Sequence, residues 1–196
     1  MARTSYMLQQ GHYDADLVYF YREDSNLAAI FEHKSPDVPP EYGLDYINAD
    51  ALIHDLRVAD GKITTPGGTT YRLLGLDPYS RHMSLPVLQA IHNLVMNGAT
   101  VAGPMATDDP SLADDQAEFH RVRTELFGNG SGVHHIGKGT VYAGQTPAEA
   151  FKTMKCRMNV VACAVLDAST IQNDVLTHHN VVMDADGQLY NRKLIK

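Results

Sequence analysis

The feature that most restricts the fold of this chain is an alternation running from residue 69 to residue 166. It begins with "TYRLLGL", a short apolar run of the kind buried on both faces of a sheet. "SLPVLQAIHNLVMNGA" follows, with Leu85, Leu88, Ile91 and Val95 on one helical face. Ser84 stands at its N-cap, Pro86 lies in the first turn where a missing N–H costs nothing, and Gly98 stops it. "TVAGP" reads as a strand. "DQAEFHRVRTELFG" reads as a helix capped by Asp114 or Asp115 and stopped by Gly128. "GTVYAG" is a strand, and "TPAEAFKTM" opens on a capping box with Thr146 at the N-cap, Pro147 at N1 and Glu149 at N3. "NVVACAVL" closes the series as a buried strand or a short buried helix; periodicity does not choose between them. A helix between two strands carries the chain back to start the next strand in the same direction. The pattern therefore predicts an α/β fold: a mainly parallel sheet with helices on both faces, three layers deep, with the flavodoxin-like arrangement as the leading case.

Upstream, "ADLVYFY" (15 to 21) predicts a further strand buried on both faces. "HKSPDVPPEYG" holds three prolines in eleven residues and must be loop. In "YGLDYINADALI" (42 to 53), Asn48 or Asp50 is placed to cap a short helix running to Leu56. "VADGKITTPGGTTYRLLGL" predicts an appended antiparallel hairpin, because Asp60-Gly61 and Gly67-Gly68 supply the positive φ of tight turns. "VVMDADGQLYN" predicts a C-terminal hairpin within residues 175–196, with Asp186-Gly187 in its turn. "TSYMLQQG" reads as the last turns of a helix closed by Gly11. A domain rarely begins in mid-helix, so residues 1–196 are expected to be one α/β domain excised from a longer protein, with 1–11 the end of a preceding helix.

Composition excludes several classes of function. The 196 residues carry a net charge of -7, which argues against a nucleic-acid groove and against docking on an anionic membrane. No stretch approaches the roughly 18 apolar residues of a spanning helix, and no apolar region marks a signal peptide at the N-terminus. Cys156 and Cys163 lie seven apart without a CxxC partner, so they read as small buried residues.

A sheet of this kind binds ligands beyond the carboxyl ends of its strands. Glu23, Asp24, Asp77, Tyr79, Arg81, His82, Asp108, Asp109 and Gln145 fall there. A serine or thiol hydrolase would need a nucleophile elbow, and neither G-x-S-x-G nor its cysteine counterpart occurs. Gly128, Gly130 and Gly132 follow a helix and precede a strand, the reverse of a phosphate cradle. His134-His135 and His178-His179 are adjacent pairs whose members point to opposite faces of a strand, so no metal site is expected from them. Asp108, Asp109, Asp114 and Asp115 lack the glycine and glutamate of a calcium loop. No cofactor is expected. Glu23 is the one glutamate at a predicted strand end, and no second carboxylate offers itself as its partner in glycoside hydrolysis.

Several stretches together resemble one family. "SYMLQQGHYDADLVYFYRED", "YGLDYINADALI", "VADGKITTPGGTTYRLLGL", "SLPVLQAIHNLVMNGATVAGPMATDDPSL" and "GKGTVYAGQTPAEA" are similar, in order, to segments of glycoside hydrolase family 106, the α-L-rhamnosidase-like proteins. The resemblance covers residues 3 to 150; the last forty residues match weakly. Arg22 stands where the family has a glycine before the motif glutamate, here Glu23. The resemblance implies the class I glutamine-amidotransferase-like, flavodoxin-like domain that follows a catalytic TIM-like barrel. It implies an accessory role, inactive alone, with the barrel of the parent chain as partner, possible contact with carbohydrate and a possible homo-oligomer. A secreted or periplasmic parent is compatible with it. Glu23 becomes a weak catalytic candidate on the barrel side, and Asp45, Tyr46, Asn48 and Asp50 become binding candidates. The alternative is a stand-alone carbohydrate-binding or hydrolytic protein using the carboxyl edge of its sheet.

Overall fold

A computed structural model of the chain describes residues 15–24, 37–39, 42–154, 181–183 and 189–191. Residues 12–154 form one compact unit, and residues 1–11 with 155–196 form a second. Within the first unit lie β1 (Leu17–Phe20), β2 (Leu44–Ile47), α1 (Ala49–His54), β3 (Arg57–Ala59), β4 (Lys62–Thr64), β5 (Thr70–Tyr71), β6 (Leu73–Leu76), α2 (Leu85–Asn97), β7 (Thr100–Gly103), α3 (Gln116–Phe127), β8 (Gly132–Ile136), β9 (Gly139–Ala143) and α4 (Pro147–Thr153). In the second unit β10 (Val181–Met183) pairs antiparallel with β11 (Leu189–Asn191). The helix end read at residues 4 to 11, both cysteines, His178-His179 and "NVVACAVL" lie outside the described residues.

The main sheet has six strands in the order β2-β1-β6-β7-β9-β8. Every neighbouring pair is parallel except β8 with β9. The alternation in the sequence misses β8. "GVHHI" is short, mostly solvent-accessible and carries two polar histidines, so it lacks the apolar run that marked the buried strands. It enters the sheet as an edge strand, paired along β9 through its backbone, where polar side chains are tolerated. All four residues of β1 and of β6 are buried, as their continuous apolar runs predict.

"TYRLLGL" is not one strand. Tyr71 pairs with β4 in a separate three-stranded sheet, β3-β4-β5, and Leu73 begins the main-sheet strand β6. The appended hairpin is thus three strands. Its first turn is the one the sequence required: Asp60 has φ of 50° and Gly61 of 73°.

Alternating strand residues sort to two faces. Val18, Phe20, Ile47, Leu74, Leu76, Val101 and Val141 pack with α1, α2 and α3 into one apolar core. On the other face α4 covers Gly75, whose missing side chain lets Pro147 sit against Leu17 and Tyr19. Tyr42 stacks flat on Phe151 of α4 at 4.1 Å, tying the loop before β2 to that layer. Helices therefore lie on both faces. The caps are largely local. Asn48, Asp115 and Thr146 each accept from their own first-turn N–H groups, and Thr146 with Glu149 closes the capping box. Ser84 holds the N-cap of α2, but its side chain makes no bond to its own helix.

Candidate functional site

The carboxyl ends of β1 and β6 lie side by side at the centre of the sheet. The chain leaves β1 toward β2 on one side and leaves β6 toward β7 on the other, so the two following loops diverge. Such a divergence is where open α/β sheets place their ligand crevice. Here the loops 21 to 24 and 77 to 84 fill it with their own side chains.

Glu23 is the main occupant. One carboxylate oxygen accepts the Ser84 backbone N–H at 2.6 Å, and the other accepts the Ser84 hydroxyl at 2.7 Å. The neighbouring Leu85 N–H donates to Asp114 at 3.1 Å. The N-terminus of α2 is therefore capped by two carboxylates from distant loops, where the helix dipole favours negative charge. This explains the idle Ser84 cap: its hydroxyl is turned to Glu23.

Asp77 forms the second knot. It is buried at the end of β6. It accepts the Tyr19 hydroxyl at 3.1 Å and the Tyr79 N–H at 2.8 Å, and Arg22 Nε lies 3.7 Å from it. Burial first, then the Asp77 charge and its hydrogen bond, raise the Tyr19 phenol far above its ordinary range. Arg22 reaches this position with φ of 88°, a backbone conformation that costs a side chain about 1–2 kcal/mol. Its guanidinium lies over the Tyr79 ring, 5.6 Å from the centroid. Tyr79 is 57% exposed.

The other sequence candidates divide between these knots and separate local bonds. Asp24 and Arg81 are exposed, and the Arg81 carbonyl accepts the Thr107 and Asp108 N–H groups. His82 Nδ1 and Asp108 Oδ1 meet at 2.5 Å across the loops after β6 and β7. Asp109 accepts the Ser111 N–H and makes a local turn, and Gln145 is half-buried before α4. Asp45 accepts the Tyr71 hydroxyl at 2.8 Å, linking β2 to the small sheet. Asn48 is the cap of α1, and Asp50 pairs at 3.7 Å with His54 one turn on. Tyr46, 37% exposed, meets Tyr19 edge to face at 5.9 Å, and burial raises its phenol above the ordinary value. The geometry thus joins Asp77 and Tyr79 and brings Tyr46 in through Tyr19, ties Glu23 separately to Ser84, and leaves Asp45, Asn48 and Asp50 in structural bonds. Tyr19, Arg22 and Ser84 carry the centre and were not sequence candidates. The one usable signal was Arg22 at a family glycine position.

Among the described residues no group of three or more His, Cys, Asp or Glu is placed to hold a metal ion. No helix among them is long and apolar enough to cross a membrane.

Fold and site define an α/β domain whose carboxyl-edge crevice is closed by its own ion pair and helix clamp. The family model of glycoside hydrolase family 106, described as alpha-L-rhamnosidase, matches residues 1–191, and the chain belongs to that family. The rhamnosidase structure from Novosphingobium sp. PP1Y superposes with a TM-score of 0.74 at 33% identity, covering 82% of this chain and 16% of that one. A protein of Formosa agariphila named "Putative beta-glucuronidase" is 36% identical over 133 residues, which is 66% of this chain and 11% of that protein. The chain thus spans between about a tenth and a sixth of the length of these relatives.

Proposed function

We propose that this chain is an accessory α/β domain of an α-L-rhamnosidase-like glycoside hydrolase, docked on the catalytic barrel of its parent protein and inactive alone. The observation that carries the reading is the engagement of Glu23. A glycosidase acid must hold a proton for the leaving oxygen, with a second carboxylate about 5 to 10 Å away across the sugar. Both oxygens of Glu23 are spent on Ser84. Asp77, the buried carboxylate at the end of β6, is bonded to Tyr19 and Tyr79. These groups hold a helix and two loops in place.

The finer fold assignment belongs to the same proposal. Numbered in chain order, the parallel strands β1, β2, β6, β7 and β9 run 2-1-3-4-5 across the sheet, with β8 added at the edge. That order supports a flavodoxin-like, glutamine-amidotransferase-like domain.

The test is hydrolysis of an aryl α-L-rhamnoside by the 196-residue chain. No turnover above the uncatalysed rate is expected. Robust turnover that disappears in Glu23→Gln would refute the accessory role and favour a stand-alone hydrolase.

A further inference from the structure

We propose that the cleft between α1 and α2 seats an extended segment of the parent polypeptide, one with apolar side chains at alternate positions and an acidic residue facing Arg57. This rests on the accessory-domain reading and deepens it by naming a surface through which the domain is held to the rest of its protein.

The cleft has a volume of about 440 Å³ and runs along α2 from Pro86 to Asn97. That stretch of helix is about 16 Å long at 1.5 Å per residue. An extended chain covers the same length with about five residues. Two rows of α2 side chains line the cleft, each with its members four positions apart. Pro86, Ala90 and Leu94 form an apolar row, which Leu52, Ile53 and Leu56 continue from the α1 side. Leu52, Leu56 and Leu94 are buried and make the floor. Gln89, Asn93 and Asn97 form a polar row.

The polar row decides what kind of occupant fits. Gln89 and Asn93 are exposed, and among the described residues their side-chain amides have no hydrogen-bond partner. Asparagine inside a helix lowers its stability relative to alanine, and Asn93 lies in the third turn of α2. Successive amides stand about 6 Å apart along the helix axis. In an extended chain, backbone groups that face the same side recur every two residues, at about 6.6 Å. Each amide of the row carries both a donor and an acceptor, which is what an outward N–H and C=O pair needs. A helical occupant has already paired these groups within itself and leaves the row unused. An extended occupant turns its backbone sideways to the amides and sets alternate side chains down on the leucine floor.

Charge adds a further constraint. Arg57 is the one charged residue lining the cleft. Its Nη1 donates to the Leu56 carbonyl at 2.7 Å, and among the described residues it has no carboxylate partner. An acidic residue of the seated segment supplies one. The source of the segment follows from size. This chain covers 16% of the Novosphingobium rhamnosidase and 11% of the Formosa agariphila protein, so most of the polypeptide of each lies outside the matched part.

The experiment places the photocrosslinking residue p-benzoylphenylalanine at position 93 of the full-length parent protein, with exposed position 121 on α3 as the control. After irradiation, tryptic mass spectrometry should link position 93 to one segment outside residues 1–196, with alternate apolar residues and an acid among them. Position 121 should not capture that segment. Hydrogen exchange completes the test: Gln89→Ala with Asn93→Ala should speed exchange of the backbone amides in the captured segment about tenfold or more. The same pair of replacements should leave the urea midpoint of the 196-residue chain level or slightly raised, because alanine is the better helix residue. A clear fall in that midpoint would make the amides part of the domain's own fold and overturn the proposal. So would a link from position 93 to a second copy of the chain, or no link above that at position 121. Exchange in the captured segment that ignores the double replacement overturns it as well. The accessory-domain reading is decided by turnover in the isolated chain, which neither measurement reads, so the two can fail separately.

Discussion

Replacing Glu23 by alanine separates a helix clamp from a catalytic acid. The substitution removes two bonds to an ionised carboxylate, one from the Ser84 N–H and one from its hydroxyl. Bonds to charged groups contribute about 1.5–3 kcal/mol each, and the partly buried site belongs at the low end because water can replace the acceptor. Loss of negative charge at the helix N-terminus adds about 0.3–1 kcal/mol. Freed from its clamp, the loop can relax Arg22 from its left-handed conformation and recover part of about 1–2 kcal/mol. The net expectation is destabilisation of about 2–3 kcal/mol. With a urea m-value of ~2 kcal/mol/M this lowers the unfolding midpoint by about 1–1.5 M at constant slope. Glu23→Gln keeps one acceptor and is expected to cost about 1 kcal/mol. A double-mutant cycle with Ser84→Ala should return a coupling energy of about 1 kcal/mol, since each change removes the other's partner. The assay is urea unfolding followed by far-UV circular dichroism and tyrosine fluorescence. If Glu23→Ala unfolds within about 0.5 kcal/mol of the parent chain, the clamp is not what Glu23 does and its role must be sought in chemistry.

Three further outcomes follow from the packing. Gly139→Ala should be severely destabilising, by about 3 kcal/mol or more, because a Cβ there runs into the carbonyl oxygens of Val95 and Ala99; a midpoint shift below about 1 kcal/mol would mean α2 is not seated on β9 as described. Thr146→Ala removes half of the α4 capping box and should cost about 1 kcal/mol, read as a lower Tm with the fold retained. Tyr19 stays protonated in the folded chain above its ordinary value of 10.0, while the unfolded chain ionises there. Stability from this group is therefore constant below pH ~10 and falls by about 1.4 kcal/mol per pH unit above it. Urea unfolding measured from about pH 9 to 11 should show that this slope is reduced in Tyr19→Phe.

Sequence alone settled the elements whose causes are local. α2, α3 and α4 follow from apolar residues three or four apart, and α3 and α4 also from the caps Asp115 and Thr146 beside their first turns. The parallel sheet follows from strand runs with no polar face, because only a strand covered on both sides can be apolar throughout. Asp60-Gly61 fixed its turn because few residue pairs take two positive φ angles. Even the family could be read, since its motifs are short, ordered and rigidly spaced.

Tertiary structure decided everything that depends on residues far apart in the chain. Glu23 and Ser84 are 61 positions apart, so nothing local reveals that a strand-end glutamate caps a helix. The same holds for Tyr19 with Asp77, 58 apart, and for Asp45 with Tyr71, 26 apart. β8 was hidden because an edge strand needs backbone partners more than apolar side chains. "TYRLLGL" divides between two sheets because Tyr71 bonds to β4 and Leu73 to β1, a choice made by neighbours that arrive from other parts of the chain. Hydrophobic pattern and capping act over a few residues and are written in order along the chain. The pairing of buried charges and hydroxyls acts across space, and only the folded sheet brings its members together.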